Sequence, residues 1–591
     1  MLRFAQTADL IAATSSKLAK VKLVADYFRS LTSEQAALAA IFLSGRPFAA
    51  YEQATLQVGG SLLWRVIAEL SGKSERDLSE LYRRHGDAGA VAADALPSKP
   101  QADLSLADVQ HAFREIGGAR GPAPKAHILR QLLERATPLE AKYIVKIITG
   151  DLRVGLKESL VEEAIGQAFE QPAAQVQRAN MLLGDIGDTL RLAAAGKLAE
   201  ARLRLFHPMD FMLASPVDSA EEALSYFEDA KIEDKYDGIR AHAHVGRGEV
   251  RLFSRTRDEI TESFPELVPV LGSLPCDAIF DGEIVAWSSQ QKPGGGMSTS
   301  ALGSERATAE LPSAEQTSST GRALPFSALQ RRLGRKKVSD KLVREIPVAY
   351  LIFDLLFANG QLLLERPLRE RAEILNQLLA LPRRELLPPS SGQATMIFAE
   401  ADKTAPGHIL RAPTASASST EDLERLFIAA RDRGNEGLMI KDRNSLYTPG
   451  RRGKSWLKMK RELATLDVVV TAVEYGHGKR IGVLSDYTFA VWDEDRLVNI
   501  GKAYSGLTDA EIAEMTKWFL NHKIREQGLR LEVEPKIVIE VAFNNMMRST
   551  RHESGYALRF PRIVRLRLDK PAEDADTIQT VHEIFNRQHG A

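Results

Sequence analysis

The spacing of apolar residues changes twice along the 591-residue chain. Up to about residue 205 they recur every three or four residues, as in LEAKYIVKIITGDLRVG and LVEEAIGQAFE, which is the period of an α-helix. From about residue 206 short strand-like runs alternate with helical runs, and beyond about residue 460 strand-like runs dominate. The length also exceeds what a single hydrophobic core supports. We therefore predict three domains, over residues 1–205, 206–460 and 461–591.

The first segment is predicted to be all-α. SEQAALAAIFLSG opens with a serine followed by a glutamate and closes on a glycine, which are start and stop signals of a helix. The Pro-, Ala- and Ser-rich stretch ALPSKPQADLS (95–105) predicts an internal loop between helices.

The second segment is predicted to be α+β. IRAHAHV and EVRLFSRT flank the glycine-containing triplet 246–248, a pattern typical of a β-hairpin. AIFDGEIVAW (278–287) and VAYLIFDLLF (348–357) predict two more strands, and an Asn-Gly turn at 359–360 follows the latter. PLRERAEILNQLLA (367–380) predicts a helix that starts with proline.

Residues 288–321 interrupt this α+β pattern. The stretch is rich in Ser, Gly, Thr and Ala and poor in large apolar residues. Such a segment buries too little surface to offset the entropy of ordering it, so we predict a disordered insertion.

The third segment is predicted to be a small β-barrel. TLDVVVTAVEY, DYTFAVW, KIVIEVAF and RIVRLRL read as short strands around one helix, TDAEIAEMTKWFLNHK (508–523). This content suits a Greek-key barrel such as an OB-fold. In the last strand, alternation predicts that Val564, Leu566 and Leu568 share one face and that Arg565 and Arg567 share the other.

Composition excludes several classes of protein. The single Cys276 can form neither an intramolecular disulfide nor a structural zinc site, which favours a reducing compartment. No stretch has the roughly 20 apolar residues of a membrane helix, and the start of the chain lacks a signal-peptide pattern. We therefore expect no membrane association and a cytoplasmic location, near the nucleoid in a prokaryote.

Charge gives a local signal only. Lys+Arg and Asp+Glu both number 78, so the formal net charge is zero. Basic residues nevertheless cluster in RRGKSWLKMKR (451–461) and RIVRLRLDK (562–570). Such clusters suit phosphate groups, although a solvated surface is the commoner explanation of a charge run.

Lys235 stands out in EDKYDGIRAHAHV (233–245), where it precedes an Asp-Gly pair and lies five residues before Arg240. A surface lysine needs no such surroundings, whereas a nucleophilic lysine needs burial or nearby cations that lower its pKa. The Asp-Gly pair alone indicates only a turn. His242 and His244 are predicted to lie on the polar face of a strand rather than to bind a metal.

The pattern Lys-x-Asp-Gly-x-Arg resembles motif I of the covalent nucleotidyltransferases, which are DNA ligases, RNA ligases and mRNA capping enzymes. Six further stretches resemble the other motifs of that superfamily in the same order: SRT (254–256), DGEIV (281–285), IFDLLF (352–357), EGLMIK (436–441), WLKMK (456–460) and RLRLDK (565–570). The series spans about 335 residues, which makes the resemblance specific.

The N-terminal segment narrows this resemblance to one family. YIVKIITGDLRVGLKESLVEEAIGQAF (143–169) is similar to the helical DNA-binding domain of ATP-dependent DNA ligases of the archaeal and eukaryotic replicative type. The resemblance implies an ATP-grasp-like adenylyltransferase domain between that helical domain and an OB-fold. Arg153 in this stretch is equally suited to capping a helix and to contacting DNA. The insertion at 288–321 has no counterpart in the family pattern.

The resemblance also implies a role for each motif residue. Lys235 is the nucleophile that carries AMP, Glu233 reads the adenine amino group and Phe353 stacks on the adenine ring. Other residues are expected to contact the ribose, the phosphates or the nick: Arg240, Arg255, Arg452, Lys458, Lys460, Arg567 and Lys570, with Arg565 and Asp569 beside the last two. Glu283 and Glu436 are expected to hold Mg²⁺, or Mn²⁺ in its place, or the ribose hydroxyls.

The expected activity is the sealing of nicked double-stranded DNA through lysyl-AMP and DNA-adenylate, in replication, repair or recombination. An RNA ligase or capping enzyme and a non-catalytic DNA-binding scaffold remain as alternatives. We expect a monomer with a hinge at KRE (460–462). A sliding-clamp partner stays open, because the sequence shows no convincing clamp-binding box.

Overall fold

The computed structural model describes residues 1–98, 103–227, 229–289, 321–324, 326–332, 338–382, 408–460, 464–476 and 480–589. The chain divides into two compact units, one made of Met1–Met209 with Glu462–Ala591 and the other of Asp210–Arg461. None of the helices in the described ranges is both long enough and apolar enough to span a membrane.

The N-terminal part of the first unit is helical, as predicted. Its helices are α1 (Leu2–Ala13), α2 (Lys17–Arg29), α3 (Ser33–Leu43), α4 (Gly60–Ser71), α5 (Glu75–His85), α6 (Ala88–Ala95), α7 (Leu106–Gly118), α8 (Pro122–Arg135), α9 (Pro138–Thr149), α10 (Glu158–Ala168), α11 (Ala173–Leu183) and α12 (Ile186–Ala194). The predicted loop 95–105 joins α6 to α7, and its residues 99–102 lie outside the described residues.

The first helix start predicted from the sequence is one residue away from the observed one. The residue that caps α3 is Thr32 rather than the predicted Ser33, because the Thr32 side chain accepts from Gln35 N–H and the Gln35 side chain accepts from Thr32 N–H. Arg153 donates to the carbonyl oxygen of Gly86, the residue that ends α5. Of the two roles considered for Arg153, this contact supports helix capping.

The second unit contains two sheets with helices beside them. Its elements are β1 (Leu213–Val217), α13 (Ala220–Leu224), β2 (Ala230–Lys235), β3 (Ile239–Gly246), β4 (Glu249–Ser254), α14 (Leu267–Gly272), β5 (Ala278–Ser289), β6 (Gly321–Ala323), α15 (Phe326–Gln330), α16 (Asp340–Glu345), β7 (Val348–Ala358), β8 (Gln361–Leu362), α17 (Leu368–Ala380), β9 (His408–Arg411), α18 (Thr420–Asp432), β10 (Gly437–Asp442) and β11 (Arg452–Met459). One sheet has the order β1-β11-β10-β2, and the other has the order β4-β3-β5-β7-β8, with β6 on β5 and β9 on β7.

Each sheet buries one face under helices. Ile232, Leu438 and Leu457 of the first sheet form a core with α13 and α18. Ala243 and Ile284 of the second sheet belong to a core that includes residues of α14 and α17. Because side chains alternate along a strand, the neighbouring residues of these strands point to the opposite, more polar faces.

Both hairpin predictions are confirmed. Arg247 and Gly248 turn between β3 and β4 with φ of 54° and 78°, and Asn359 and Gly360 turn between β7 and β8 with φ of 46° and 83°. Positive φ at both central residues is the requirement of a tight type I′ hairpin turn.

The predicted insertion begins and ends in paired strands. Ser288 of β5 pairs with Arg322 of β6, and Ser289 pairs with Gly321. Positions 288, 289 and 321 are therefore part of the sheet rather than of a disordered segment. The remaining positions, 290–320, lie outside the described residues.

The C-terminal part of the first unit is rich in strands. Its elements are β12 (Ala464–Tyr475), β13 (Leu484–Asp493), β14 (Arg496–Ala503), α19 (Asp509–Asn521), β15 (Lys523–Gln527), β16 (Arg530–Val533), β17 (Val538–Phe543), β18 (Asn545–Arg548), β19 (Tyr556–Arg559), β20 (Arg562–Leu566) and α20 (Ile578–His589). The long strand β12 pairs with β13 along one edge and with β17 and then β16 along the other, so the sheet curls around a core of buried side chains. The predicted helix is α19, and α20 is a second helix that the sequence pattern did not indicate.

The predicted alternation in the last strand is wrong. β20 ends at Leu566, and its register shifts at Val564, since Val541 faces Ile563 while Glu540 faces Arg565. This bulge turns Ile563 into the core and leaves Val564 43% exposed.

Candidate active site

Three adjacent strands bring the polar motif residues of the first sheet onto one face. In register, Glu233 of β2 lies opposite Met439 of β10, which lies opposite Lys458 of β11. Two residues away along each strand, Lys231 lies opposite Lys441, which lies opposite Trp456. Because the side-chain period of a strand is two, these six side chains and that of Lys235 point the same way, away from the apolar core.

Lys235 is the last residue of β2, and the chain then crosses to β3 in the other sheet. The Asp-Gly pair is therefore part of a crossover between sheets and not a hairpin turn. Gly238 is required here, because a Cβ at this position would lie 2.3 Å from the carbonyl oxygen of Ile284. The crossover thus holds β3 close against β5 and fixes the end of β2 beside it.

A cavity of about 430 Å³ lies beside Lys235, a volume typical of small-ligand sites. Both sheets contribute to its lining: Leu213, Ala214, Glu233, Asp234, Lys235, Tyr236, Gly238, Ile239, Arg240, Ser254, Arg255, Thr256, Glu283, Phe353, Met439, Lys441, Arg452, Trp456 and Lys458. Phe353 reaches it from a bulge in β7, where Asp354 and Ile352 pair with successive residues of β5 and Phe353 is the extra residue. The lining combines apolar rings with a set of cationic side chains.

The cations lie close enough to affect one another. Burial lowers the pKa of Lys458, and the positive charges of Lys460, Lys235, Arg452 and Arg255 lower it further. Five cations around one part of the site form a field that favours phosphate groups.

Two carboxylates flank the Lys235 amine. The Nζ atom of Lys235 is ion-paired with the Glu436 carboxylate, and the backbone N–H of Glu436 donates to the Lys235 carbonyl oxygen at 2.8 Å. Burial raises the pKa of Glu283 to about 8, with contributions from the negative charges of Glu436 and Asp281 and opposition from Lys235 and Arg240. Within the described ranges no group of three or more His, Cys, Asp or Glu residues could hold a metal ion.

Arg240 lines the cavity but is already bound on several sides. Its guanidinium donates to the Asp281 carboxylate at 3.0 and 2.6 Å and to the Met212 carbonyl oxygen at 2.7 Å. His242 follows on the same face of β3, fully buried, with its ring stacked 3.6 Å from that of Phe211. The polar face predicted for His242 and His244 is therefore buried, because side chains such as Phe211 cover it.

Family comparisons agree along the whole chain. The family models described as DNA ligase N terminus, ATP dependent DNA ligase domain and ATP dependent DNA ligase C terminal region match residues 1–166, 211–318 with 314–460, and 480–570. A probable DNA ligase of Koribacter versatilis is 55% identical over 100% of this chain and 97% of its own length. The chain belongs to the ATP-dependent DNA ligases. It is thus an enzyme that uses ATP to join DNA, which decides against an RNA ligase, a capping enzyme or a scaffold.

Relatives named DNA ligase also occur in archaea. A DNA ligase of Methanothrix thermoacetophila is 34% identical over 100% of this chain and 98% of its own length. The solved structure named Pmar-Lig_Pre. aligns with 96% of this chain and 99% of that chain, with a TM-score of 0.57 and 16% identity. The likeness to this solved structure concerns the fold alone, and it supports the predicted multidomain fold.

The structure brings most of the predicted site residues together around one cavity. Glu233, Lys235, Arg240, Arg255, Glu283, Phe353, Arg452 and Lys458 line the cavity, while Glu436 and Lys460 interact with residues that line it. Arg567 and Lys570 belong to the other unit, where both bind the Asp467 carboxylate, at 2.8 and 2.7 Å. Of the predicted hinge, positions 461 and 462 lie outside the described residues.

The sequence motifs did not single out several residues that lie at this candidate site. Lys231, Lys441, Trp456 and Asp281 are buried next to predicted site residues. Three of them belong to motifs that the sequence did reveal: Lys441 to EGLMIK, Trp456 to WLKMK and Asp281 to DGEIV. Their positions in these motifs could have indicated a place at the site. Lys231 precedes its motif, and only the register of β2 with β10 relates it to the site.

Proposed function

We propose that Lys235 is the nucleophile that accepts AMP from ATP in this DNA ligase. The observation that carries the proposal is the position of its amine, at the end of β2, on a cavity lined by aromatic rings and surrounded by four more cations. The lone pair of Nζ attacks the α-phosphorus of ATP. A P–N bond forms, the P–O bond to the β-phosphate breaks, and pyrophosphate leaves with the bonding electrons.

Glu436 is suited to prepare the amine. An ammonium group has no lone pair, so Lys235 must lose a proton before it can attack. The Glu436 carboxylate already accepts a hydrogen bond from that Nζ and can take the proton. In the later steps the 5′-phosphate of the nick displaces lysine from AMP, and the 3′-hydroxyl then displaces AMP from the 5′-phosphate.

The cations and rings of the cavity fit the parts of ATP. Lys458 and Lys460, with Arg255 and Arg452, are placed to bind phosphate oxygens and to stabilise the charge that develops at the α-phosphate. Phe353 and Trp456 offer apolar surface to the base, and Glu233 offers a carboxylate acceptor to its amino group. Arg240 contributes mainly by fixing Asp281 and the neighbouring rings, since its guanidinium is already bound.

A divalent cation is the remaining part of the proposal. Glu283 and Glu436 are close enough for the charge of one to raise the pKa of the other, and hard cations such as Mg²⁺ or Mn²⁺ prefer carboxylate oxygens. These two side chains would therefore hold such an ion. When bound, the ion would neutralise phosphate charge.

The test is covalent labelling with α-³²P-ATP and Mg²⁺, followed by denaturing electrophoresis. The wild-type protein should retain label in an acid-labile, base-stable adduct, and Lys235→Ala should retain none. Lys454→Ala is the matched control, because Lys454 is an exposed lysine of the neighbouring strand β11, bound to the Tyr226 hydroxyl, and should label normally. An adduct that persists in Lys235→Ala would place the nucleophile elsewhere.

Other features stay predictions. These are the monomeric state, the cytoplasmic location, recruitment by a sliding clamp and the division of labour between replication, repair and recombination. The distribution of basic residues supports contacts with the DNA backbone, which would be indifferent to sequence.

A further inference from the structure

The Glu233 carboxylate lies between two buried lysines. Lys231 Nζ is 2.7 Å from Glu233 Oε1, and Lys441 Nζ is 2.5 Å from Glu233 Oε2. Lys231 is 5% exposed, Lys441 is 1% exposed and Glu233 is 3% exposed. Two cations thus surround one anion at the wall of the nucleotide cavity.

This arrangement is costly for stability alone. A buried carboxylate needs one opposite charge, and a second buried ammonium adds a desolvation penalty without a second anion of its own. The effect is visible in both lysines: burial lowers the pKa of Lys441 and brings that of Lys231 to about 8. Arg411 adds more positive charge, since it also acts on Lys231 and Glu233.

The positive charges of Lys441, Lys231 and Arg411 all lower the pKa of Glu233. Burial favours its neutral form, but Lys441, Lys231 and Arg411 outweigh burial and bring its pKa down to about 2. Glu233 is thereby kept ionised throughout the physiological range. An ionised carboxylate accepts hydrogen bonds and donates none.

Lys441 also contacts the aromatic part of the cavity. Its Nζ atom lies 4.1 Å from the ring centroid of Phe353 and 4.3 Å from that of Trp456, within the range of cation–π attraction. One side chain therefore fixes both the carboxylate and the rings that line the cavity beside it.

We propose that Lys441 and Lys231 form a positioning pair that holds Glu233 as an obligate acceptor, so that the cavity selects a purine with a 6-amino group over one with a 6-oxo group. The inference rests on the proposed function of this cavity as the ATP site. An amino group at position 6 donates to the Glu233 carboxylate. A 6-oxo group presents an acceptor to an acceptor, and the mismatch in a buried site rejects it strongly.

The experiment measures the rate of lysyl-NMP formation with α-³²P-ATP and with α-³²P-GTP. The variants are Lys441→Met, Glu233→Gln and the double variant, with Lys454→Met as an exposed control on β11. Lys441→Met should raise KM for ATP and lower the ATP-to-GTP ratio of kcat/KM, each by about tenfold or more, with a smaller change in kcat. Because the lysine acts through Glu233, the double variant should discriminate no less than Glu233→Gln alone.

The pH profile supplies a readout that a purely structural role would not move. Between pH 5.5 and 7.5 the wild-type ratio should stay constant. In Lys441→Met the pKa of Glu233 rises toward this window, so the ratio should fall as pH falls and Glu233 becomes protonated. Lys231→Met, measured in the same way, covers the case in which Lys441→Met does not fold.

The outcomes separate the two proposals. Absence of label in the wild type, or label in Lys235→Ala, contradicts the proposed function of the cavity. Normal labelling with an unchanged ATP-to-GTP ratio in both lysine variants contradicts the positioning pair only. Additive losses in the double variant also overturn it, since they show that Lys441 acts independently of Glu233.

Discussion

Glu283 is a half-buried residue of the cavity wall, and desolvation raises the pKa of its carboxyl group to about 8. Between its ordinary value near 4.5 and pH 8 the folded protein holds a proton that the unfolded chain has released. The contribution of Glu283 to the free energy of unfolding therefore falls as pH rises through this window, on the order of 1 kcal/mol per pH unit. Glu283→Gln has no such proton, so it should be more stable than the wild type, with a difference that grows from pH 5 to pH 8.

Scanning calorimetry of the nucleotide-free and metal-free proteins at pH 5, 6, 7 and 8 measures this difference. Glu262→Gln is the matched control, because Glu262 is an exposed glutamate of the same unit and should track the wild type at every pH. A Glu283→Gln advantage that does not grow with pH would show that the carboxyl group is ionised in the folded protein.

The entry to β10 is a point at which the backbone leaves no room for a side chain. Gly437 has φ of 146°, and a Cβ at this position would lie 2.2 Å from the carbonyl oxygen of Met459 on β11. Gly437→Ala should therefore push β10 from β11, lower stability by about 2 kcal/mol or more and slow lysyl-AMP formation at least about tenfold, because Lys441 and Lys458 lie on these two strands. Thermal melts and α-³²P-ATP labelling check both effects.

Gly453→Ala is the control for that change. Gly453 lies in β11, and a Cβ there meets no atom within 4 Å. This variant should keep the melting temperature of the wild type. A similar loss in both variants would attribute the effect to the loss of glycine itself and not to the contact between the strands.

Elements defined by local chemistry were predictable from the sequence. The turns at 247–248 and 359–360 need positive φ at both central residues; Gly248, Asn359 and Gly360 adopt it at low cost, and Arg247 is the one residue of the four that is neither Gly nor Asn. β2 and β10 were not predicted as strands. Their polar side chains alternate as in a solvated strand, but several face the cavity and one another instead of water.

The candidate site was predictable to the extent that its residues stand in contiguous motifs. Lys235, Glu283 and Lys458 come from separate motifs, and the cavity brings all three together. The link between Lys231 and Lys441 was not predictable, because it depends on the register of two strands about 210 positions apart in sequence. Likewise, the bulge at Val564 depends on tertiary packing around Ile563 and not on the local pattern.

At the scale of the whole molecule, the predicted reaction draws on both compact units. Arg567 and Lys570 both bind Asp467, which lies on β12 of their own unit. If these cations orient pyrophosphate during transfer of AMP to lysine, they must exchange that carboxylate for phosphate oxygens. The later sealing steps involve no pyrophosphate, so the cations are dispensable there.

Sealing of two substrates separates these steps. Arg567→Ala and Lys570→Ala should slow sealing of an ordinary nick with ATP by about a hundredfold, the scale for loss of one electrostatic contact to a transition state, and should seal a pre-adenylylated nick at nearly the wild-type rate. Lys460→Ala should slow both reactions, because the α-phosphate takes part in each step. Lys536→Ala, which removes an exposed lysine paired with Glu534 in the same unit, should affect neither. Both reactions are followed by gel electrophoresis under identical conditions, with DNA in excess and with melting curves to confirm folding. Equal losses on the two substrates for Arg567→Ala would mean that this arginine acts in sealing or in DNA binding, and that the release of pyrophosphate does not depend on it.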